Sequence, residues 1–78
     1  MKATAESRKA RAERLAALLV EARREAGLTQ VELAERLGRK QAYVSKYETG
    51  ARGVDVLELM EIADVLSCDP AELLRKLR

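Results

Sequence analysis

Residues 30–47, QVELAERLGRKQAYVSKY, decide the fold of this 78-residue chain. Leu33, Ala34 and Leu37 recur at the three-to-four spacing of one helix face, and Val44 and Tyr47 repeat that spacing beyond Gly38. Two helices of two to three turns joined through a glycine must cross steeply. Gly38 takes the positive φ that reverses the chain, and Ala34 is small where the two helices approach. Val44 and Tyr47 then seal the second of the pair, from about Lys40 to Thr49, against the first. Its N-terminal half is left proud of the body, and a helix so presented fits the major groove of DNA, about 12 Å wide.

Outward from this pair the punctuation continues. Upstream, a first helix starts within residues 4–8 and runs to Ala26, with Leu15, Leu18, Leu19, Ala22 and Ala26 as its apolar stripe and Gly27 as its stop. Thr29 opens the second helix as a capping box closed by Glu32. Downstream, Gly50 ends the third helix. Asp55, with Glu58 three residues on, opens a fourth whose expected inward positions are Val56, Leu59, Met60, Ala63 and Leu66. Asp69, Pro70 and Glu72 open a fifth, with Leu73, Leu74 and Leu77 as its apolar positions. No alternation rich in β-branched or aromatic residues marks a strand. The expected architecture is all-α with five helices: a charged extension over residues 1–14 that continues into the first helix, and one domain over residues 15–78.

Composition narrows the classes of function. The chain has no His and a single cysteine, Cys68, so neither an intramolecular disulfide nor a Cys/His metal site is available. Without His the commonest general base is missing too, and no catalytic residue, metal or cofactor is expected. Cys68 reads as a small buried hydrophobe. No apolar run reaches the roughly 18–20 residues that cross a bilayer. The first 13 residues lack the apolar centre of a secretory signal, and a cytoplasmic protein is expected. The net charge of +2 conceals an asymmetry: residues 1–53 hold 12 Lys and Arg against 7 Asp and Glu, whereas residues 54–78 hold 3 against 6. A basic front and an acidic back suit a module that turns one face to a polyanion.

The spaced set Gly27-Leu28-Thr29-Gln30, Glu32-Leu33-Ala34, Leu37-Gly38, Val44-Ser45, Tyr47-Glu48 and Gly50 resembles the phage-repressor and Cro-like, or Xre-type, helix-turn-helix proteins. Leu59, Ala63, Leu66 and residues 69–74 fit the fourth and fifth helices of that family, and the resemblance covers roughly residues 15–75. Cys68, where a branched apolar residue is usual, and the long charged segment before Leu15 depart from it. The resemblance implies a five-helix lambda-repressor-like domain whose second and third helices form the helix-turn-helix. It further implies a regulator, most often a repressor, that binds operator double-stranded DNA as a homodimer. A protein-protein interaction module that keeps the fold, such as an antitoxin-like partner-binding protein, is the rival reading.

Within the third helix, Gln41 lies in the first turn away from the face of Val44, and a Gln amide can bond adenine N6 and N7 together. Ala42 and Ser45 share that exposed side, suited to a thymine methyl and to a base or phosphate. Lys46, one turn beyond Ala42, reaches guanine or a phosphate. These four are the expected base-reading set. Thr29, Gln30, Arg39, Lys40, Tyr43 and Arg52 flank the reading helix and are the expected phosphate contacts. Tyr43 stacks on the sugar-phosphate wall or lies over the turn between the second and third helices; both placements stay open. The resemblance adds two structural expectations. Arg23 and Glu48 form an ion pair that fixes the reading helix to the first helix, and the apolar excess of Leu73, Leu74 and Leu77 supplies a two-fold contact.

Overall fold

The computed structural model describes residues 5–78, with side chains from residue 8 onward; residues 1–4 of the expected charged extension lie outside the described residues. Five α-helices follow in order: α1 (Ala5–Glu25), α2 (Gln30–Leu37), α3 (Gln41–Glu48), α4 (Val56–Leu66) and α5 (Pro70–Arg75). No strand occurs among the described residues. The molecule measures 42 × 23 × 20 Å. Its long axis reflects α1, whose 21 residues span about 31 Å. Residues 8–14 of that helix are exposed, and burial begins only at Leu15 and Ala16.

Each helix starts and stops for a local reason. Thr29 Oγ1 accepts from the Glu32 N–H at 3.1 Å, while Glu32 Oε1 accepts from the Thr29 N–H at 2.9 Å. Asp55 and Glu58 build the same reciprocal cap on α4, at 2.8 and 3.0 Å. Each box satisfies two N–H groups that the helix itself leaves over. Asp69 caps α5, with Pro70 in the first turn, where the missing N–H costs nothing. Gly38 ends α2 at φ 70°, and the Arg39 N–H returns to the Ala34 carbonyl at 2.9 Å. A side chain at that φ would be strained, so glycine is what permits the tight reversal into α3. Ser67 closes α4 in the same left-handed region, at φ 56°, without glycine's freedom.

The core gathers one face from every helix. Leu19, Leu33, Val44, Tyr47 and Ile62 are its largest fully buried side chains, joined by Leu28, Ala34, Leu59, Leu66 and Leu73. At about 1.5–3 kcal/mol for each large apolar side chain fully removed from water, this cluster supplies the main driving force for folding. Ala34, 2% exposed, lets α2 and α3 approach closely.

Several expected inward positions differ. Val56 and Met60 lie on the surface, at 72% and 49% exposure, and Ile62 is fully buried instead. Leu59, Ile62, Ala63 and Leu66 stand at i, i+3, i+4 and i+7 and make one stripe; Met60 lies to the side of it, and Val56, three residues before Leu59, continues it in the first turn of α4 beyond the edge of the core. Ala26 is exposed because α1 ends at Glu25, one residue earlier than expected. Leu73 is drawn into the core at 5% exposure, so it is not part of an open two-fold surface; only Leu74 on α5 is half exposed, and Leu77 is partly covered. The Leu77 carbonyl accepts from Arg14 Nη2 at 2.7 Å, tying the end of the chain to α1. Cys68 packs partly buried against the core, and that burial pushes its thiol above the ordinary value.

Candidate nucleic-acid interface

The third helix divides cleanly. Val44 and Tyr47 face the core, while Gln41, Ala42 and Lys46 are exposed and Ser45 is half-buried beside them. Positions 41, 42, 45 and 46 fall on one side of α3 because residues four apart are neighbours on a helix. The four residues expected to read bases therefore share one surface. Lys40 precedes them in extended conformation as the N-cap and makes no side-chain capping bond.

A chain of polar side chains holds this surface to the interior. Arg23 on α1 grips Glu48 at the end of α3 with two parallel bonds, Nε to Oε2 at 2.8 Å and Nη2 to Oε1 at 3.1 Å. Its third nitrogen, Nη1, donates to the Leu28 carbonyl at 2.9 Å. Both side chains are largely buried, at 11% and 4% exposure, which makes the fork a positioning device rather than a surface charge pair. The hydrogen bond to Glu48 raises Arg23 above its ordinary pKa despite desolvation. Glu48 Oε1 also accepts from Gln30 Nε2 at 2.9 Å, and Gln30 Oε1 accepts from Gln41 Nε2 at 2.7 Å. The first residue of α2 and the first residue of α3 are thus bonded to each other and, through Glu48, to α1.

A second group stands at the other flank. Arg39, in the turn between α2 and α3, and Arg52, in the loop after α3, lie over the Tyr43 ring at 4.4 and 4.8 Å from its centroid. Tyr43 meets Tyr47 edge to face at 5.5 Å. Tyr43 thus lies against Arg39 of the α2–α3 turn, and burial raises its hydroxyl above the ordinary pKa. Glu58 anchors both arginines: Oε2 accepts from Arg52 at 3.0 Å and lies 3.8 Å from Arg39, which also approaches Glu61 at 3.9 Å. The Asp55 N–H, followed by Arg52, keeps the Glu58 carboxyl below the usual carboxylate range against the effect of burial.

Sequence reading missed Glu58 in this role and the bond from Gln30 to Glu48. Glu58 reads only as the closing residue of a capping box, and no local spacing connects it to Arg39, nineteen positions earlier. Gln30 carried a usable signal, since it opens α2 immediately after the loop that Arg23 holds. Among the described residues no group of three or more His, Cys, Asp or Glu is arranged to hold a metal ion, and no described helix is long and apolar enough to cross a membrane.

Comparison with known proteins agrees with this geometry. A family model described as helix-turn-helix matches residues 19–73. An HTH-type transcriptional regulator of Sinorhizobium fredii, y4dJ, itself uncharacterized, is 45% identical over 51 residues, 65% of this chain. The match spans 66% of that regulator's length. Among solved structures, an XRE-family-like protein from Pseudomonas syringae is 51% identical with a TM-score of 0.82, over 87% of this chain and 83% of that one. The restriction-modification controller protein C.AhdI from Aeromonas hydrophila is 32% identical with a TM-score of 0.77, over 83% and 94% of the two chains. With five helices, a glycine-hinged α2–α3 pair and a family match over residues 19–73, the chain belongs to the Xre-type helix-turn-helix family.

Proposed function

We propose that this protein is a cytoplasmic transcriptional regulator that binds operator DNA as a homodimer, lays α3 in the major groove and represses by occupying the site. The observation that carries the reading is the α3 face of exposed Gln41, Ala42 and Lys46 with half-buried Ser45 beside them, and Gln41 bonded to Gln30.

The donor and acceptor inventory explains how that face works. The Gln41 amide donates one hydrogen to Gln30 and keeps a second N–H and its carbonyl oxygen. Those two groups match the N7 acceptor and N6 donor of adenine. Gln30 uses its oxygen on Gln41 and one hydrogen on Glu48, which leaves one N–H for a phosphate oxygen. Gln41 thus meets the base with its rotamer already chosen, and less side-chain entropy is lost on binding. Thr29, Arg39, Lys40, Tyr43 and Arg52 border the same surface and supply phosphate contacts, in which the two arginines exchange part of their bond to Glu58 for the DNA backbone. Similarity to the HTH-type transcriptional regulator of Sinorhizobium fredii and to the restriction-modification controller protein of Aeromonas hydrophila supports DNA-linked regulation.

Selection of bound sequences from a random DNA pool tests the reading. An inverted repeat should emerge, and Gln41→Ala should cost about 1–3 kcal/mol on the best site and relax preference at one position per half-site. A pool that stays unenriched, or unchanged preference in the variant, would remove α3 from the reading role.

A further inference from the structure

One cleft of the domain carries positive charge alone. About 270 Å³ in volume, it lies between the first half of α1 and the loop that follows α3. Leu15, Ala16, Leu19 and Val54 give it apolar walls, Arg8 and Arg52 are its charged residues, and no described carboxylate lines it. Three other surface clefts, all along the side of α1 that carries Glu21, include that acid. Tyr47 also lines the cationic cleft. It is 1% exposed, and its hydroxyl is buried with no hydrogen-bond partner among the described residues. Nearly all buried polar groups find a partner, so an unpaired one calls for a reason. Burial pushes this phenol far above its ordinary pKa, so at neutral pH it is a hydrogen-bond donor and not a phenolate.

We propose that this cleft binds a small monocarboxylate with an apolar body, held by Arg8, Arg52 and the Tyr47 hydroxyl, and that the ligand weakens the protein's grip on DNA. Charge selects an anion, because both charged residues are guanidiniums, whose planar forks match a carboxylate. Arg8 is exposed and long, so it turns from the rim onto a bound anion. The apolar walls select a ligand with a hydrocarbon part, since inorganic phosphate would leave Leu15, Leu19 and Val54 uncovered. Size limits that part. An apolar cavity of about 150 Å³ takes benzene, and drug-sized ligands fill about 300–1,000 Å³. The cleft falls between the two, which fits one ring or a short chain. Tyr47 supplies the neutral donor, and a carboxylate oxygen reaching it in a dry site gains a strong hydrogen bond. Arg52 couples the cleft to DNA. It spends Nη1 on Glu58, and its remaining donors are those that a ligand and a DNA phosphate would share. Each anion then lowers affinity for the other by the same factor. That coupling rests on the operator-binding reading above; the site itself does not.

The experiment titrates the isotope-labelled full chain with benzoate and with hexanoate, at neutral pH and constant ionic strength, and follows backbone amides by nuclear magnetic resonance. Saturable shifts concentrated in residues 8–19 and 47–54 are expected, with a Kd of about a millimolar or tighter. Benzamide and benzylamine keep the ring and lose the anion, and should bind about tenfold weaker or more. Tyr47→Phe keeps the fold, which circular dichroism checks, and should weaken benzoate by about tenfold or more. Arg8→Gln, at an exposed position, should weaken it by about two- to fivefold. Ala12→Leu adds bulk at the rim of the cleft without touching a charge, and should weaken both acids. Equal affinity for benzamide, shifts scattered without saturation, or an unchanged benzoate Kd in Tyr47→Phe would each overturn the site. On the selected inverted repeat, saturating benzoate should weaken the parent by about fivefold or more and leave Arg52→Ala within about twofold of its own value. Operator affinity unmoved by bound benzoate would overturn the competition for Arg52. If the parent enriches no DNA sequence, the operator reading fails alone, and the amide shifts still decide whether the cleft binds the acid.

Discussion

Glu48→Gln is the sharpest perturbation of the link between α1 and α3. The substitution keeps shape and volume and removes one thing, a negatively charged group with two acceptor oxygens. Glu48 accepts three bonds, from Arg23 Nε at 2.8 Å, Arg23 Nη2 at 3.1 Å and Gln30 Nε2 at 2.9 Å. A glutamine oxygen in the Oε1 position still serves Arg23 Nη2 and Gln30. Its amide nitrogen then faces Arg23 Nε, donor against donor, in a site where the side chains are 11% and 4% exposed. A hydrogen bond to a charged group contributes about 1.5–3 kcal/mol, and breaking a buried pair outright costs about 3–5 kcal/mol. With two of three bonds retained, the loss should be about 2–3 kcal/mol. A chain of 78 residues has on the order of 4–12 kcal/mol of stability in all, so this is a large fraction. Urea unfolding followed by far-ultraviolet circular dichroism reads the change directly, and the thermal midpoint should fall by roughly 10–20 °C. A loss below about 0.5 kcal/mol at unchanged m-value would refute the reasoning, because it would mean that water already shares the fork.

Two further outcomes follow from buried polar groups. The Glu58 carboxyl is held below its unfolded value, so its contribution to stability is present above that value and disappears as pH falls through the folded one. The urea midpoint should therefore drop below about pH 4, and Glu58→Gln should flatten that part of the profile; an unchanged acid slope in the variant would remove Glu58 from the account. The Tyr47 hydroxyl is buried without a hydrogen-bond partner among the described residues. Tyr47→Phe should leave stability unchanged or raise it by up to about 1 kcal/mol in the same urea assay, and a loss of similar size would reveal a partner for that hydroxyl.

The parts of this fold that local chemistry decides were readable in advance. Thr29 with Glu32, Asp55 with Glu58, Pro70 behind Asp69 and the left-handed Gly38 each act within a few residues, and their spacing states their role. The α3 face was readable for the same reason, since residues 41, 42, 45 and 46 share a side on any helix. What escaped was decided at long range. Val56 and Met60 have the composition of core residues, but how far along α4 and how far around it the core reaches depends on where α2 and α5 press against it. Leu73 and Leu74 are indistinguishable in sequence, and packing buries one at 5% and leaves the other at 51%. The clamp of Glu58 on Arg39 and Arg52 joins three segments through side chains alone, and no periodicity reports such a meeting.

The bond between Gln41 and Gln30 has a consequence for how operator preference changes over generations or at the bench. Gln41 is the proposed recognition residue and also the terminal partner of a tether that begins at Arg23. Replacing it with arginine to favour guanine would exchange the amide for a longer cationic donor, and a guanidinium fork turned to guanine O6 and N7 is drawn away from the Gln30 oxygen. A new preference at that position therefore requires a matching change at position 30, such as an acidic or shortened side chain, before the new letter is read cleanly. Retargeting this scaffold is a two-residue problem, and libraries that vary position 41 alone will sample mostly chains with a loosened second helix.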